Sequence, residues 1–569
     1  MACKSFSKFV SYAICVCFMM LFFSACTTKE TEEKNPVTQT TASDQNSITA
    51  PGTSSTQESY DPFGKYEPSI TLTAVRSIDN NVQFTPGDPD RDSLEKNVWA
   101  RAYEEQLGIK LEYLWTAPPD QYDNKWNLSV ASDDIPDFGP VSRKTFRMLV
   151  EHGLIEDITD TFEKYASPAY KQFTIDDNGL ALSYNTFNDR LLGMPITGSN
   201  PDNTPLLFVR KDWLDKVNMP APKTIDDLIN VANAFVNNKL GGENTYGLAL
   251  AGNFEVNAGF CGMSGFLNGF GAYFDMWLED SSGKLVYSNI QPEMKPALQK
   301  LQDMYKAGLI VEDFAVRDSG KTAECIAAGR IGMAYGVYFA PLTQILTNIN
   351  SDEKAEWIVC PIPTIDGSPA KPQAAASVQN YIFIKKGTKY PEAPVKIANL
   401  SIVLRYEHFY EYSTAPDGFP LLKYSILGDL VQPWQNLNRH KEITQALKTG
   451  DDTNLGGDRR AVYGNILKAL DGDRSQFGMN LVFGENSSFS VINEYKTDNR
   501  IVCDKYLSMT STPTEEEKGS VLWDKLVTAM YEIIMGKPVE EFDSAVSEWR
   551  KMGGDDIVKE VNEWYESTK

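Results

Sequence analysis

The sequence predicts an α/β protein. Strand-like and helix-like stretches alternate through the first half of the chain. The composition, 42% hydrophobic and 11% aromatic, suits a large packed core. Beyond a polar N-terminal stretch there remain roughly 500 residues, enough for two or three domains. Alternation of this kind is the signature of a wound sheet covered by helices.

The elements follow in order. Ile70-Thr71-Leu72-Thr73-Ala74-Val75 alternates as a half-buried strand does. A helix is expected over 93–106, with Leu94, Val98, Ala102 and Tyr103 on one face and Gly108 just past its end. Residues 109–115 form a second strand, 122–132 a helix, and Ile135-Pro136-Asp137-Phe138 the next strand entry. Thr224 caps a helix whose first turn holds Asp226 and Asp227, acids at the positive end of the dipole. Residues 292–307 read as a helix with Pro292 at its start and Gly308 at its end. Residues 331–335, 357–361 and 380–384 read as strands. From about Pro391 helices dominate, ending in 539–552 and 555–565 around Gly553-Gly554.

The N terminus carries an export signal. Lys4 and Lys8 precede an uncharged apolar run from Phe9 to Phe23, too short to span a bilayer with ordinary flanks. Ser24-Ala25-Cys26 then resembles a bacterial lipobox, in which the cysteine receives a diacylglyceryl group; Phe23 stands where Leu is usual. Residues 1–26 are thus expected to be a lipoprotein signal ending at Cys26, the lipidation site. Residues 27–67, rich in Thr, Ser, Glu, Gln, Asn and Pro, are expected to be a disordered stalk. The protein is placed on the outer side of the cell membrane, held by its lipid.

Charge and cysteines narrow the classes. The net charge of −23, more negative once Lys4 and Lys8 leave, repels nucleic acid and anionic lipid. Cys261, Cys325, Cys360 and Cys503 are widely spaced without a CxxC pair, so no metal knuckle is expected; free buried thiols are the expected state, and one or two disulfides are the alternative outside the cell. The three histidines, His152, His408 and His440, form no HExxH, and there is no G-x-S-x-G. Gly320-Lys321-Thr322 lacks the first glycine of a phosphate loop, with Ala315 in its place.

Across residues 91–566 the chain resembles the family 1 extracellular solute-binding proteins, in the large lipoprotein subgroup attached to carbohydrate importers of the ATP-binding-cassette type. The matching stretches are Asn97-Val98-Trp99 with Gly108-Ile109-Lys110, and Ala131-Ser132-Asp133-Asp134-Ile135-Pro136-Asp137. They continue with Phe208-Val209-Arg210-Lys211-Asp212-Trp213-Leu214-Asp215-Lys216, with Ala327-Ala328-Gly329-Arg330-Ile331-Gly332-Met333, and with Gly553-Gly554-Asp555 before Glu563-Trp564-Tyr565. The resemblance implies a two-lobed, clam-shell, periplasmic-binding-protein-like α/β fold with several inter-lobe crossings and a helix-rich C-terminal part. It implies an N-lobe of 68–196 plus 336–375, a C-lobe of 197–335 plus 376–569, and crossings near 194–196, 334–336 and 374–379. It implies capture of an oligosaccharide and delivery to membrane-spanning permease subunits, by a monomer without enzymatic activity or cofactor. Some relatives carry a calcium loop where this chain has residues 237–248. Here that stretch offers the single carboxylate Glu243, so no metal is expected. Asp88-Pro89-Asp90-Arg91-Asp92 reads as a solvated loop, since the glycine and glutamate of a calcium loop are missing.

Sugars present C–H faces to aromatic rings and hydroxyls to polar groups. Trp99, Trp213, Trp523, Trp549 and Trp564 lie on amphipathic helices and are assigned to cores. Trp115, Trp277, Tyr335, Tyr338 and Trp434 lie at strand ends, crossings or loops and are the aromatic ligand candidates. Asp137, Asn253, Asn380, Glu411 and Asp417 are the polar ones. An extracellular enzyme acting on polysaccharide, and a sensor or adhesive lipoprotein on the same fold, are the alternatives.

Overall fold

The computed structural model describes residues 60–567 except 80–81, 177, 253–259 and 507–510, with backbone alone at 379–380. Cys26 and most of the expected stalk therefore lie outside the described residues.

Two sheets and a separate parallel strand pair organise the chain. Their strands are β1 (Ile70–Ser77), β2 (Ile109–Ala117), β3 (Phe138–Val141), β4 (Gly193–Thr197), β5 (Leu206–Arg210), β6 (Tyr246–Ala249), β7 (Ile331–Gly336), β8 (Trp357–Cys360) and β9 (Val378–Ile384). β1 and β2 pair in parallel, Ile70 opposite Ile109. β9 lies between β3 and β4 and runs antiparallel to both, Tyr381 opposite Val141 and Pro195. The second sheet has the order β8-β5-β7-β6, with β5 buried at every position as a central strand should be.

The ladder redraws the expected lobes. Residues 336–375, expected in the N-lobe, contain β8, which hydrogen-bonds to β5 in the second sheet. Residues after 376, expected in the C-lobe, begin with β9, the centre of the first sheet. The chain does not cross at 334–336: β7 is an interior strand, antiparallel to β5 and parallel to β6. Among the described residues it crosses between Thr197 and Leu206, between Cys360 and Val378, and again near Val431, where the apolar residues pass from one core to the other. An open run of buried residues looks the same in either sheet, so hydrophobic pattern could not tell the two apart.

Helices cover both sheets: α1 (Arg143–Glu151), α2 (Pro168–Ile175), α3 (Ile225–Asn237), α4 (Ala393–Glu407), α5 (Gln435–Thr449), α6 (Ser488–Thr497) and α7 (Pro513–Ile534). α1 packs Phe146 on Tyr381 of the first sheet, with ring centroids 5.7 Å apart. α7 buries Val527, Met530 and Ile533 in the core of the second lobe. α3 begins with a full capping box: the Thr224 hydroxyl accepts from the Asp227 N–H, and the Asp227 carboxylate accepts from Thr224 N–H.

The end of the expected stalk is ordered. Tyr66 N–H donates to Leu107 O at 2.9 Å, its hydroxyl donates to Glu392 at 2.6 Å, and Asn399 donates to Pro62 O. Tyr60, Phe63 and Tyr66 supply the apolar surface that the residues before them lack. Gly108 is tied to the same place. Its φ of 67° is left-handed, and a Cβ there would meet Tyr66 O at 2.3 Å.

Candidate functional site

The ligand candidates disperse. Trp115 packs edge-on to Trp126 at 5.5 Å and donates its indole N–H to Ser129. Asp137 is a tie between β1 and the end of β9: it accepts from Thr73 N–H and hydroxyl at 2.8 Å and from the Thr388 hydroxyl at 3.0 Å. Tyr335 is buried in the second sheet. Glu411 is exposed beside His408, and Asp417 pairs with Arg91 at 2.7 Å. Asn253 falls outside the described residues. Asn380 is placed by its backbone alone, opposite Ile196. Two candidates meet at the third crossing. Trp434 holds a left-handed φ of 62° before α5, and the Tyr338 hydroxyl accepts from Asn436 Nδ2 at 3.2 Å. Trp277 is buried against Tyr287 and Tyr506.

Between the lobes the structure assembles a set that sequence reading missed. Ser142 caps α1 at the end of β3, accepting from Thr145 N–H. The next residue, Arg143, reaches across to the second lobe, its guanidinium 5.1 Å from the centre of the Tyr506 ring. Its charge bears on Tyr184 and Tyr381 of the first lobe and on Asp504 and Glu515 of the second, with Asp275 beside the two acids. Asp504 accepts from Trp277 N–H at 3.0 Å and Tyr506 N–H at 2.9 Å. Tyr287 donates to Asp275 at 2.6 Å. One turn along α1, Arg147 donates to Ser511 O and pairs with Glu516 at 3.5 Å, so the lobes touch at this rim.

Two of the carboxyls here, Asp504 and Glu515, hold their protons more tightly than exposed acids do. Burial pushes Asp504 up to about 6, with the Asp275 charge adding to it, and burial raises Glu515 as well. Burial raises the Tyr184 and Tyr381 hydroxyls above their usual range, so both remain donors. The set offers guanidinium and phenol donors on one side, carboxyl acceptors on the other, and aromatic faces on both, which is the equipment for binding a polyhydroxylated molecule. The readable signal was Val141-Ser142-Arg143: a strand end, a cap and a cation facing the cleft. At the stretch considered for calcium, Glu243 instead accepts both bonds of a Lys239 ammonium, at 2.8 and 2.9 Å.

Residues 99–416, over half of the chain, match the model of the bacterial extracellular solute-binding proteins. The chain belongs to that family. This solute-binding protein is 23% identical over 495 residues to the polygalacturonan/rhamnogalacturonan-binding protein YtcQ of Bacillus subtilis (strain 168), spanning 84% of this chain and 89% of that one. It is 24% identical over 493 residues to lipoprotein LipO of the same organism, spanning 84% and 90%. Its fold matches the HMO-binding, ABC-transporter-associated solute-binding protein of Bifidobacterium longum infantis with a TM-score of 0.55 at 16% identity, over 88% of this chain and 99% of that one. It also matches the alginate-binding protein AlgQ2 with a TM-score of 0.54 at 15% identity, over 90% and 100%. The architecture is thus that of the two-lobed periplasmic-binding-protein-like proteins, as the resemblance implied.

Proposed function

We propose that this solute-binding protein captures an oligosaccharide between its lobes and delivers it to the membrane-spanning subunits of an ATP-driven importer. The observation that carries the reading is the Arg143 set: opposed donors, acceptors and rings from both lobes, positioned where closure would bury a sugar. The relatives' names agree on a saccharide, polygalacturonan/rhamnogalacturonan for one and fructooligosaccharide for another. Two carboxyl groups, Asp504 and Glu515, bear on the Arg143 guanidinium, and Asp275 adds a further negative charge beside them. A neutral sugar, whose hydroxyls donate to carboxylates, fits this balance better than a polyuronate. Trp277, beside Tyr506, and Asn253 and Asn380 are the sequence candidates that the reading retains for contact. The protein acts as a monomer without cofactor, and it returns its sugar unchanged rather than cleaving it.

The same reading anchors the chain by a lipid on Cys26, in keeping with a relative named as a lipoprotein. Cys26→Ala should then release folded protein into the medium; membrane retention of that variant would remove the anchor from the account. For the ligand, melting of the protein should be screened against neutral and acidic oligosaccharides, since a ligand bound only by the folded state raises the melting temperature. A neutral oligosaccharide recovered intact supports the reading. No shift with any glycan, or a shortened product, overturns it.

A further inference from the structure

The hinge holds a group of charges that plays no part in the Arg143 set. Two ties join the first and third crossings. At the first-lobe end, Val431 N–H donates to Thr197 O at 3.1 Å and the Thr197 hydroxyl donates to Val431 O at 2.7 Å. At the second-lobe end, the Asp202 carboxylate of the first crossing accepts from Asn436 N–H, in the first turn of α5, at 3.0 Å. Trp434, the residue before α5, gives that helix no side-chain cap. Asp202 therefore caps a 15-residue helix from another segment of chain. Asp202 is fully buried, and among the described residues its Oδ1 has no hydrogen-bond partner.

Lys496 of α6, in the second lobe, closes the group. Its ammonium lies 4.3 Å from the centre of the Trp434 ring and faces Asp202 and Asp176. Asp176 follows α2 of the first lobe and accepts from Gln432 of the third crossing. The charges that bear on Asp202 reduce to Lys496; those that bear on Lys496 are Asp176, Asp202 and Lys441 of α5. Because Asp176 and Lys496 belong to different lobes, a rotation of the lobes would displace them relative to each other, and any opening at the crossings would admit water to the group.

We propose that Asp176, Lys496 and Asp202 make the hinge a proton-sensitive joint, coupling the angle between the lobes to pH. Burial pushes Asp202 up to about 7, so the packed hinge holds its proton more tightly than a hydrated hinge does. The packed arrangement is then favoured as pH falls below 7. Burial lowers Lys496 to about 8, so the packed hinge gives up that proton more readily, and it is favoured as pH rises above 8. Between those values both groups are ions in a dry site, and the packed arrangement is at its least favourable.

The test needs no ligand, so it stands or falls apart from the sugar-binding reading. Donor and acceptor dyes are placed at Asp160→Cys and Lys468→Cys, exposed positions on the first and second lobes, in the full chain carrying Cys503→Ser. Energy transfer is then followed from about pH 5 to about pH 10. The expected inter-lobe distance is longest between pH 7 and 8 and shortens on both sides. Asp202→Asn, which keeps an acceptor for Asn436, should flatten the acid limb only. Lys496→Met, which still covers Trp434, should flatten the alkaline limb only. A wild-type distance independent of pH overturns the proposal, whether or not the variants fold. So does a profile that both variants leave unchanged.

Discussion

Arg210 has almost no access to water, yet its guanidinium makes four hydrogen bonds. It donates to Asp212 at 2.7 and 2.9 Å, to Asp352 at 3.1 Å and to Asn348 at 3.2 Å, and it lies 4.8 Å over the Trp213 ring. Trp213 is 1% exposed and meets Phe235 edge-on at 5.2 Å. Truncating it empties a core site and uncovers a buried cation. Trp213→Ala should cost about 3–5 kcal/mol in a denaturant melt, with whatever sugar affinity the folded fraction has left intact. Arg143→Ala should do the reverse, weakening sugar binding by about 1–3 kcal/mol in a titration while moving the ligand-free melt little, because its partners lie across a cleft. Equal losses of stability in the two variants would remove Arg143 from the site. Asp504 gives a pH test. Its folded pKa of about 6 lies above the unfolded value, so the folded state binds the proton more tightly. Stability should fall as pH rises from about 4 to 6, by up to about 1.4 kcal/mol per unit. In Asp504→Asn that part of the slope should vanish from the pH dependence of the melt.

At the scale of elements, caps decided where sequence reading succeeded. α3 starts where Thr224 said it would, because the reciprocal bonds with Asp227 leave no competing start. Thr224→Ala should lower stability by about 1 kcal/mol, read from the same melts, with no effect on binding. The helix expected over 93–106 is shorter at its front. Asn97 accepts from Trp99 N–H and Ala100 N–H, and its own amide donates back to Ser93 O and Leu94 O, which makes 93–97 a turn rather than a first turn of helix. Asparagine is a strong cap, and the local signal was present in the sequence. What could not be read was partnership between strands. Trp357–Cys360 and Val378–Ile384 were both visible as strands, but their sheets are fixed by partners some 150 to 240 residues distant, a relation that local pattern does not encode. The site suffered for the same reason: Arg143, Asp504 and Glu515 look like ordinary surface charges until the lobes face each other.

For the whole molecule, the proposed site makes the balance of charges around Arg143 the term that selects between neutral and acidic ligands. A neutral sugar held by short hydrogen bonds and ring faces should bind with nearly the same affinity at about 50 and about 500 mM salt, though screening lengths shrink severalfold over that range. A steep loss would point to an acidic ligand drawn to Arg143 and Arg147, and would reverse the preference argued from the surrounding carboxyls.

The position of β9 also sets a schedule. It is the middle strand of the first sheet, flanked by β3 and β4, yet it enters the chain only after all four strands of the second sheet. During synthesis the first lobe therefore lacks its spine until residue 384 has been made, however early its other strands appear. Contacts this distant in sequence form slowly, because a long loop must close before any of them is gained. For a chain of an extracellular family, if it is threaded outward unfolded, a lobe that cannot assemble from its leading segment alone leaves time for that passage.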